Sequence, residues 1–335
     1  MRVRRSLAVT AAVAVAALAA ACGGGGSSSG GDGKVQLSLV AYSTPQAAYK
    51  DIIAAFQKTP EGKNITFTQS YGASGDQSRA VAAGLKADIV HLSLEPDVTR
   101  LVKAGLVADD WNKGADKGIL TKSIVVIGVR KGNPKAIKTW DDLIKPGTEV
   151  ITPNPFTSGG ARWNVLAGYG AKSSKGADQA SGLKYLDSLF TNVPVQDDSA
   201  RKSLQTFTGG KGDAILSYEN EAIFAQQNGQ AIDYVVPDDT ILIENPAAVT
   251  KNSAHPTEAA AFLKFLHSSA AQEIFVKNGY RPTLDGVAGA NFPTPAGLFT
   301  INDLGGWSKV NTEFFDPKAG LLVAIEQKLG VATEK

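Results

Sequence analysis

The chain has few of the residues that would indicate a disulfide framework or a metal centre. Its one cysteine, Cys22, allows no internal disulfide, so the fold has to be held by a hydrophobic core. The three histidines, His91, His255 and His267, have no mutual spacing that is typical of metal ligands. These absences argue against a disulfide scaffold and a zinc protein, and they indicate no cofactor.

Long apolar runs are also missing, except near the N-terminus. The run from Leu7 to Ala21 follows three arginines and is too short and too rich in alanine for a stable membrane span. It therefore predicts an export signal at 1–21, followed by a Gly/Ser-rich tether at 22–33. The chain has 34 basic and 32 acidic residues, and removal of the three signal arginines leaves 31 against 32. This balance does not suggest a nucleic-acid partner.

The end of the export signal, Ala19-Ala20-Ala21-Cys22, resembles a bacterial lipobox. The resemblance implies that Cys22 becomes the lipidated first residue of the mature chain, anchored to the outer face of the cytoplasmic membrane, which faces a periplasm where an outer membrane is present. The alternative is ordinary secretion, in which Cys22 has no such role.

The periodicity of apolar residues after residue 33 alternates between two and about 3.6, which predicts an α/β fold with a mostly parallel sheet in two lobes. Strands are predicted at 35–42, 65–69, 89–94, 123–130, 150–152, 193–196, 214–217 and 234–237. Helices are predicted from 77, 97, 161, 182, 200, 221, 257, 270 and 319, besides one after the first strand. We expect lobe 1 to comprise 34–118 and 245–335, with the last three helices packed on it, and lobe 2 to comprise 119–244.

Three Ser/Gly or Asp/Ser turns run directly into predicted helices. They are the first turn (Gly72-Ala73-Ser74-Gly75), the second turn (Thr157-Ser158-Gly159-Gly160) and the third turn (Asp198-Ser199-Ala200-Arg201). The first N–H groups of a helix have no internal partner, and glycine lets the backbone approach an oxyanion closely. The first two turns follow strands of different lobes, so we expect them to face each other across a cleft and to bind one small anion.

The chemistry of the turns favours a fully deprotonated oxyanion. Sulfate carries no proton near neutral pH and needs donors only, whereas protonated phosphate also needs a buried acceptor. Asp76 and Asp198 are better placed as residues that begin helices than as such acceptors. Molybdate, tungstate and phosphate remain alternative ligands of the same fold.

A serine hydrolase is the alternative from a different class of protein. Ser74 or Ser158 would then be the nucleophile. Neither serine lies in a Gly-x-Ser-x-Gly sequence, and no histidine is near either one in the sequence. We therefore expect a binding protein and not an enzyme.

Four nearly continuous segments resemble the sulfate/thiosulfate-binding proteins of bacterial ABC importers, which have a type II periplasmic-binding fold. The segments are Val129–Lys135, Trp140–Gly147, Val150–Pro155 and Ser158–Asn164. Shorter matches are Tyr71–Gly75, Glu219–Ala222, Tyr280–Pro282 and Gly305–Trp307. The resemblance implies a ligand cleft between two lobes, a sulfate or thiosulfate ligand, a membrane permease as partner, and a monomer.

In that family the anion is dehydrated and held by neutral donors. The resemblance assigns this role to Ser43, Ser74, Ser158, Gly159, Gly160, Ala200 and Tyr218. It implies that Ser74 donates through its hydroxyl, Ser158 through its hydroxyl and N–H, and Gly159, Gly160, Ala200 and Ser43 through backbone N–H groups. Tyr218 stands where the family has an indole, so a phenol would have to donate instead.

Three arginines lie near the turns, where direct ion pairs with the anion have to be considered. Arg79, Arg162 and Arg201 each lie within the first two turns of a predicted helix. We expect each to pair with a neighbouring carboxylate and to support the site from behind, because burying a cation beside the ligand would cost several kcal/mol.

Overall fold

The computed structural model describes residues 34–333. The predicted signal peptide, Cys22 and the tether lie outside the described residues. Within the described range, every helix is too short or too polar to cross a membrane.

The first part of this range alternates strands and helices, as expected. Its elements are β1 (Val35–Tyr42), α1 (Gln46–Phe56), β2 (Ile65–Gly72), α2 (Ser74–Ala82), β3 (Ile89–His91) and α3 (Glu95–Lys103). Leu37 and Leu39 of β1 pack against Tyr49, Ile52 and Phe56 of α1 in one buried cluster. Strands β2, β1 and β3 are parallel, so the turns that follow them emerge at one edge of the sheet.

The second part contains more β-structure than the sequence predicted. Its elements are β4 (Ile119–Arg130), β5 (Val150–Ile151), α4 (Gly159–Lys172), α5 (Gln179–Thr191), α6 (Ala200–Thr208), β6 (Ala214–Tyr218), α7 (Glu219–Gln227), β7 (Ile232–Val235) and β8 (Leu242–Val249). A short 3-10 helix spans Trp140–Ile144. The strand predicted at 193–196 is reduced to one bridge, Val195 with Ile151, because Pro194 cannot donate to a ladder.

The sheet is mixed, so the prediction of a mostly parallel sheet is wrong. Its strand order is β2-β1-β3-β8-β4-β6-β5, and β7 also pairs with β4. Strand β8 is antiparallel to both β3 and β4, and β4 is antiparallel to β6 and β7. The N-terminal half of β4 pairs with β8 while its C-terminal half pairs with β6. Strands β4 and β8 therefore connect the two halves of the sheet, where the sequence predicted the chain to cross between lobes.

The C-terminal helices divide between the two halves, which corrects the expectation that all pack on the first lobe. They are α8 (Pro256–Leu266), α9 (Ser269–Lys277), α10 (Gly306–Phe315) and α11 (Leu321–Lys328). Helices α8 and α9 share a core with β1 and α1. Helices α10 and α11 share a core with β4, α4 and α5, where the Phe314 ring lies 4.7 Å from the Tyr169 ring. An amphipathic helix does not specify which apolar surface it covers, so the sequence could not decide this.

Candidate functional site

The three turns converge on one small buried cavity. Helices α2, α4 and α6 begin at Ser74, Gly159 and Ala200, and all three N-termini point into it. The cavity is very small, with a volume of about 10 Å³, far below the range of about 300–1,000 Å³ for drug-sized ligands. Its walls are Tyr42, Ser43, Thr44, Ala73, Ser74, Ser93, Ser158, Gly159, Gly160, Ala200 and Tyr218. All seven residues expected from the sequence are therefore in this wall.

Backbone N–H groups are the main donors that the cavity offers. Among the described residues, the N–H groups of Ser43, Ser74, Gly159, Gly160 and Ala200 have no protein acceptor. Four of these five residues occupy the first or second position of a helix, where the N–H has no partner within the helix. Three helix dipoles also direct positive partial charge at this point. The arrangement suits a small anion with several oxygen atoms.

Ser158 offers its hydroxyl to the cavity but not its N–H group. The N–H donates to the carbonyl of Asn154 at 2.9 Å, so the expected backbone donation by Ser158 is wrong. Its Oγ accepts a hydrogen bond of 3.4 Å from Ala161 N as the N-cap of α4. This bond leaves the hydroxyl proton available, because an N-cap oxygen acts only as an acceptor.

The structure gives the Ser74 hydroxyl a different partner from the one expected. Its Oγ donates to Asp97 Oδ2 at 2.6 Å and accepts from Ser93 N at 2.9 Å. Asp97 is buried, and its other oxygen accepts from Arg100 at 2.9 Å. The hydroxyl proton is thus committed to a carboxylate, and the group that Ser74 can offer a ligand is its backbone N–H.

The Tyr218 hydroxyl is hydrogen-bonded to a residue that the sequence did not single out. Its hydroxyl lies 2.6 Å from Ser93 Oγ, and both side chains are buried. Two hydroxyl protons are present and one is used between the oxygens, so the pair keeps one O–H for another acceptor. Ser93 follows the third parallel strand, β3, at the same edge of the sheet as Ser43 and Ser74. This position after a parallel strand is the sequence signal that could have identified Ser93 as a site residue.

Only glycine fits at Gly159 while the turns are this close. A Cβ added there would lie 2.7 Å from both Cβ and Oγ of Ser93 and 2.9 Å from Leu94 Cγ. At Gly160 the nearest atom to an added Cβ would be Ala200 Cβ at 3.2 Å. The two glycines thus let α4 approach the residues after β3 and the start of α6.

The arginines support the turns from outside the cavity, and one of them does so in an unexpected way. Arg79 pairs with Asp76, and Arg201 pairs with Glu221 at 2.8 Å. Arg162 instead donates to the carbonyl of Pro155 at 2.8 Å and to Asn311, so its expected pairing with a carboxylate is wrong. Burial lowers the pKa of Arg162 to about 10.

The cavity wall contains no charged side chain. Burial raises the pKa of Tyr42 to about 12 and that of Tyr218 well above 10, so both phenols are neutral hydrogen-bonding groups. His91, whose ring lies edge-on to Tyr42, has a pKa lowered to about 3 by burial and is also neutral. Within 34–333, no group of three or more His, Cys, Asp or Glu side chains is arranged to hold a metal ion.

A two-lobed α/β fold that closes helix N-termini around a small cavity defines a solute-binding protein of a transport system. The chain belongs to the family of bacterial extracellular solute-binding proteins, whose model matches residues 37–281. This confirms the fold class and the family expected from the sequence.

Named relatives match most of the chain. It is 45% identical to the sulfate-binding protein of Synechococcus elongatus over 85% of each chain. It is 36% identical to the thiosulfate-binding protein of Pseudomonas aeruginosa, covering 72% of this chain and 77% of that one. The solved sulfate-binding protein SubI of Mycobacterium tuberculosis H37Rv superposes with a TM-score of 0.82 at 45% identity, covering 84% of this chain and 99% of SubI.

Proposed function

We propose that this protein captures sulfate, and also thiosulfate, outside the cytoplasm and delivers the anion to the permease of an ABC importer. The observation that carries the proposal is the set of five backbone N–H groups without a protein acceptor in a cavity without charged side chains. The Ser158 hydroxyl and the spare O–H of the Ser93–Tyr218 pair add two further donors. The names of the relatives support the same ligands.

Neutral donors favour sulfate over phosphate. Near neutral pH phosphate carries at least one proton, which needs a buried acceptor. The carboxylate that contacts the first turn is that of Asp97, and its two oxygens already accept from Ser74 and Arg100. A protonated anion would therefore find no free carboxylate in the wall. Molybdate and tungstate have longer metal–oxygen bonds and need a larger cavity than sulfate, whereas this cavity is small.

The same contacts argue against a hydrolase. Ser74 donates to a carboxylate that Arg100 neutralises, and Ser158 caps a helix, so neither serine has an imidazole base. His91 is bonded to Tyr49 at 2.9 Å and faces Thr121 at 3.4 Å. We therefore propose a binding function without catalysis. Isothermal calorimetry with sulfate, thiosulfate, phosphate and molybdate tests the ligand, and failure to bind sulfate or thiosulfate would overturn the proposal.

The cellular arrangement is proposed from the sequence. Lobe 1 would comprise 34–118 and 245–335 without α10 and α11, and lobe 2 would comprise 119–244 together with those two helices. The protein would act as a monomer, held to the outer face of the cytoplasmic membrane by lipid on Cys22, with the tether at 22–33 as spacer.

Ser158→Ala should weaken sulfate binding by about 1 to 3 kcal/mol, the usual scale of a hydrogen bond to a charge. Calorimetry measures the loss. Ser268→Ala is the matched control, because Ser268 caps α9 through the same 3.4 Å bond, from Ala271 N, but lies outside the cavity wall. Equal sulfate affinities for the two variants would remove the Ser158 hydroxyl from the site.

Sulfate affinity should be nearly constant from about pH 5 to pH 8. The raised pKa values of Tyr42 and Tyr218 keep both phenols neutral throughout this window, and the lowered pKa of His91 keeps the imidazole neutral as well. Sulfate itself does not titrate there. Calorimetry across the window checks this, and a tenfold change in a folded protein would require a titrating group in the site.

Cys22→Ser should release the protein from the membrane fraction, because a lipidated cysteine would be the only anchor in this proposal. Fractionation of cells that express the full chain, followed by immunoblotting, measures the distribution. Retention of the variant in washed membranes would show a different anchor.

A further inference from the structure

Ser93 joins the cavity to three separate parts of the fold. Its N–H donates to Ser74 Oγ at 2.9 Å, and its Oγ contacts the Tyr218 hydroxyl at 2.6 Å. Its carbonyl accepts two hydrogen bonds of 3.0 Å, one from Trp163 Nε1 and one from Asn245 Nδ2. Every polar group of this buried residue is therefore engaged, so its position is determined by its partners.

The two donors to this carbonyl come from different places. Asn245 lies on β8, opposite Thr121 of β4, and its Oδ1 accepts from Thr121 at 3.2 Å and from Tyr42 at 3.0 Å. It thus ties Ser93 to the strands that connect the two halves of the sheet. Trp163 lies on α4, one turn after Gly159, and packs edge-on against Trp307 of α10 at 4.7 Å.

With the lobe boundaries proposed above, the Trp163–Ser93 hydrogen bond joins lobe 2 to lobe 1 across the cleft. Ser93 follows β3 of lobe 1, whereas α4 and α10 share their core with lobe 2. The bond needs the same close approach that leaves no room for a Cβ at Gly159. Opening the cleft must therefore break it, whereas the Asn245–Ser93 bond connects lobe 1 to the connecting strands and can persist.

We propose that Trp163 and Ser93 form a latch that sets how long the protein holds its anion. This inference rests on the proposed sulfate-binding function and adds a positioning residue to it. The indole N–H contacts no ligand, since Trp163 is not part of the cavity wall. It retains the closed form, in which the N–H groups of Ser43, Ser74, Gly159, Gly160 and Ala200 can surround the anion together.

Kinetics separate a latch from ordinary packing. Encounter occurs with the open protein, in which the bond is absent, whereas release requires opening and so requires breaking it. Trp163→Phe keeps an aromatic ring beside Trp307 and removes the N–H. It should raise the dissociation rate of sulfate about 3- to 10-fold and leave the association rate unchanged.

The experiment is a chase of bound radiolabelled sulfate with unlabelled sulfate, sampled by filtration, on the parent protein and two variants. Trp140→Phe is the matched control. Trp140 is also buried and also donates one indole bond to a backbone carbonyl, that of Asp239 at 2.8 Å, but it lies outside the cavity wall. The latch would be overturned if Trp163→Phe released sulfate at the same rate as the parent. If the ligand-free variant also unfolded at a lower temperature, Trp163 would contribute only packing.

A second measurement needs no change at Trp163. The chain has four tryptophans, so single Phe replacements at Trp111, Trp140 and Trp307 assign the indole N–H signals of the 15N-labelled parent, leaving that of Trp163. Saturating sulfate should slow hydrogen exchange of the Trp163 indole at least about tenfold and leave that of Trp140 unchanged. Equal exchange of the Trp163 indole with and without sulfate would overturn the latch, whereas a parent that does not bind sulfate would overturn the proposed function itself.

Discussion

Gly159→Ala should lower the affinity for sulfate at least about 100-fold, which corresponds to about 2.7 kcal/mol. The added Cβ would stand 2.7 Å from Ser93 Cβ and Oγ, well inside the contact distance of about 3.5–4.0 Å between carbon atoms. The backbone of Gly159 does not have a positive φ, and alanine is the better helix former, so the open protein should fold normally. The substitution thus acts on closure.

Two measurements are needed to show that Gly159→Ala acts on closure of the cleft. Calorimetry gives the affinity, and small-angle X-ray scattering gives the decrease in radius of gyration when sulfate is added, which should disappear in Gly159→Ala. Gly160→Ala is the graded comparison, because its added Cβ would have a nearest neighbour at 3.2 Å and should cost less. A Gly159→Ala protein that binds and closes like the parent would show that sulfate is bound in a more open form than the one described.

Arg201→Met should lower the free energy of unfolding by about 3 to 5 kcal/mol, the usual cost of leaving one partner of a buried ion pair alone. Arg201 donates two bonds to Glu221, at 2.9 and 2.8 Å, and the Glu221 side chain has no exposed surface. Burial raises the pKa of Glu221 while Arg201 lowers it, so the charge of the carboxylate depends on the guanidinium. Methionine can keep the contact with the Phe224 ring but cannot neutralise Glu221.

Urea unfolding of the ligand-free protein measures this loss. Arg79→Met is the control: its partner Asp76 has a side chain 44% exposed, and exposed pairs are worth about 0–1 kcal/mol. Adding Glu221→Gln to Arg201→Met should recover part of the loss in unfolding free energy, because the unpaired charge is removed.

Arg201 also donates to the carbonyl of Thr44 at 3.0 Å, beside Ser43, so sulfate affinity should fall in Arg201→Met as well. Equal unfolding free energies for the two arginine variants would contradict the burial of Glu221.

The predictions from sequence failed for elements whose own residues do not favour the secondary structure that they adopt. Strand β8 contains Glu244, Asn245 and Pro246, and such residues do not predict a strand. It forms because β3 and β4 supply partners on both sides, and its Pro246 faces the irregularity in pairing near Ile119. Helix α10 begins at Gly306, which has a positive φ like Gly305 before it, and two such glycines do not predict the start of a helix whose apolar face carries Trp307 and Phe314.

The sequence by itself determined the family, the order of most elements and seven of the eleven residues that form the cavity wall. Turns such as Gly72–Gly75 and Thr157–Gly160 are local signals, because the first N–H groups of any helix have no partner within that helix. Tertiary structure alone decided which group of each residue is free. Asp97, 23 residues after Ser74, takes its hydroxyl proton, and Ser93 lies beside Tyr218, 125 residues later. Hydrogen-bond partners this distant are brought together only by packing, so no local pattern could assign them.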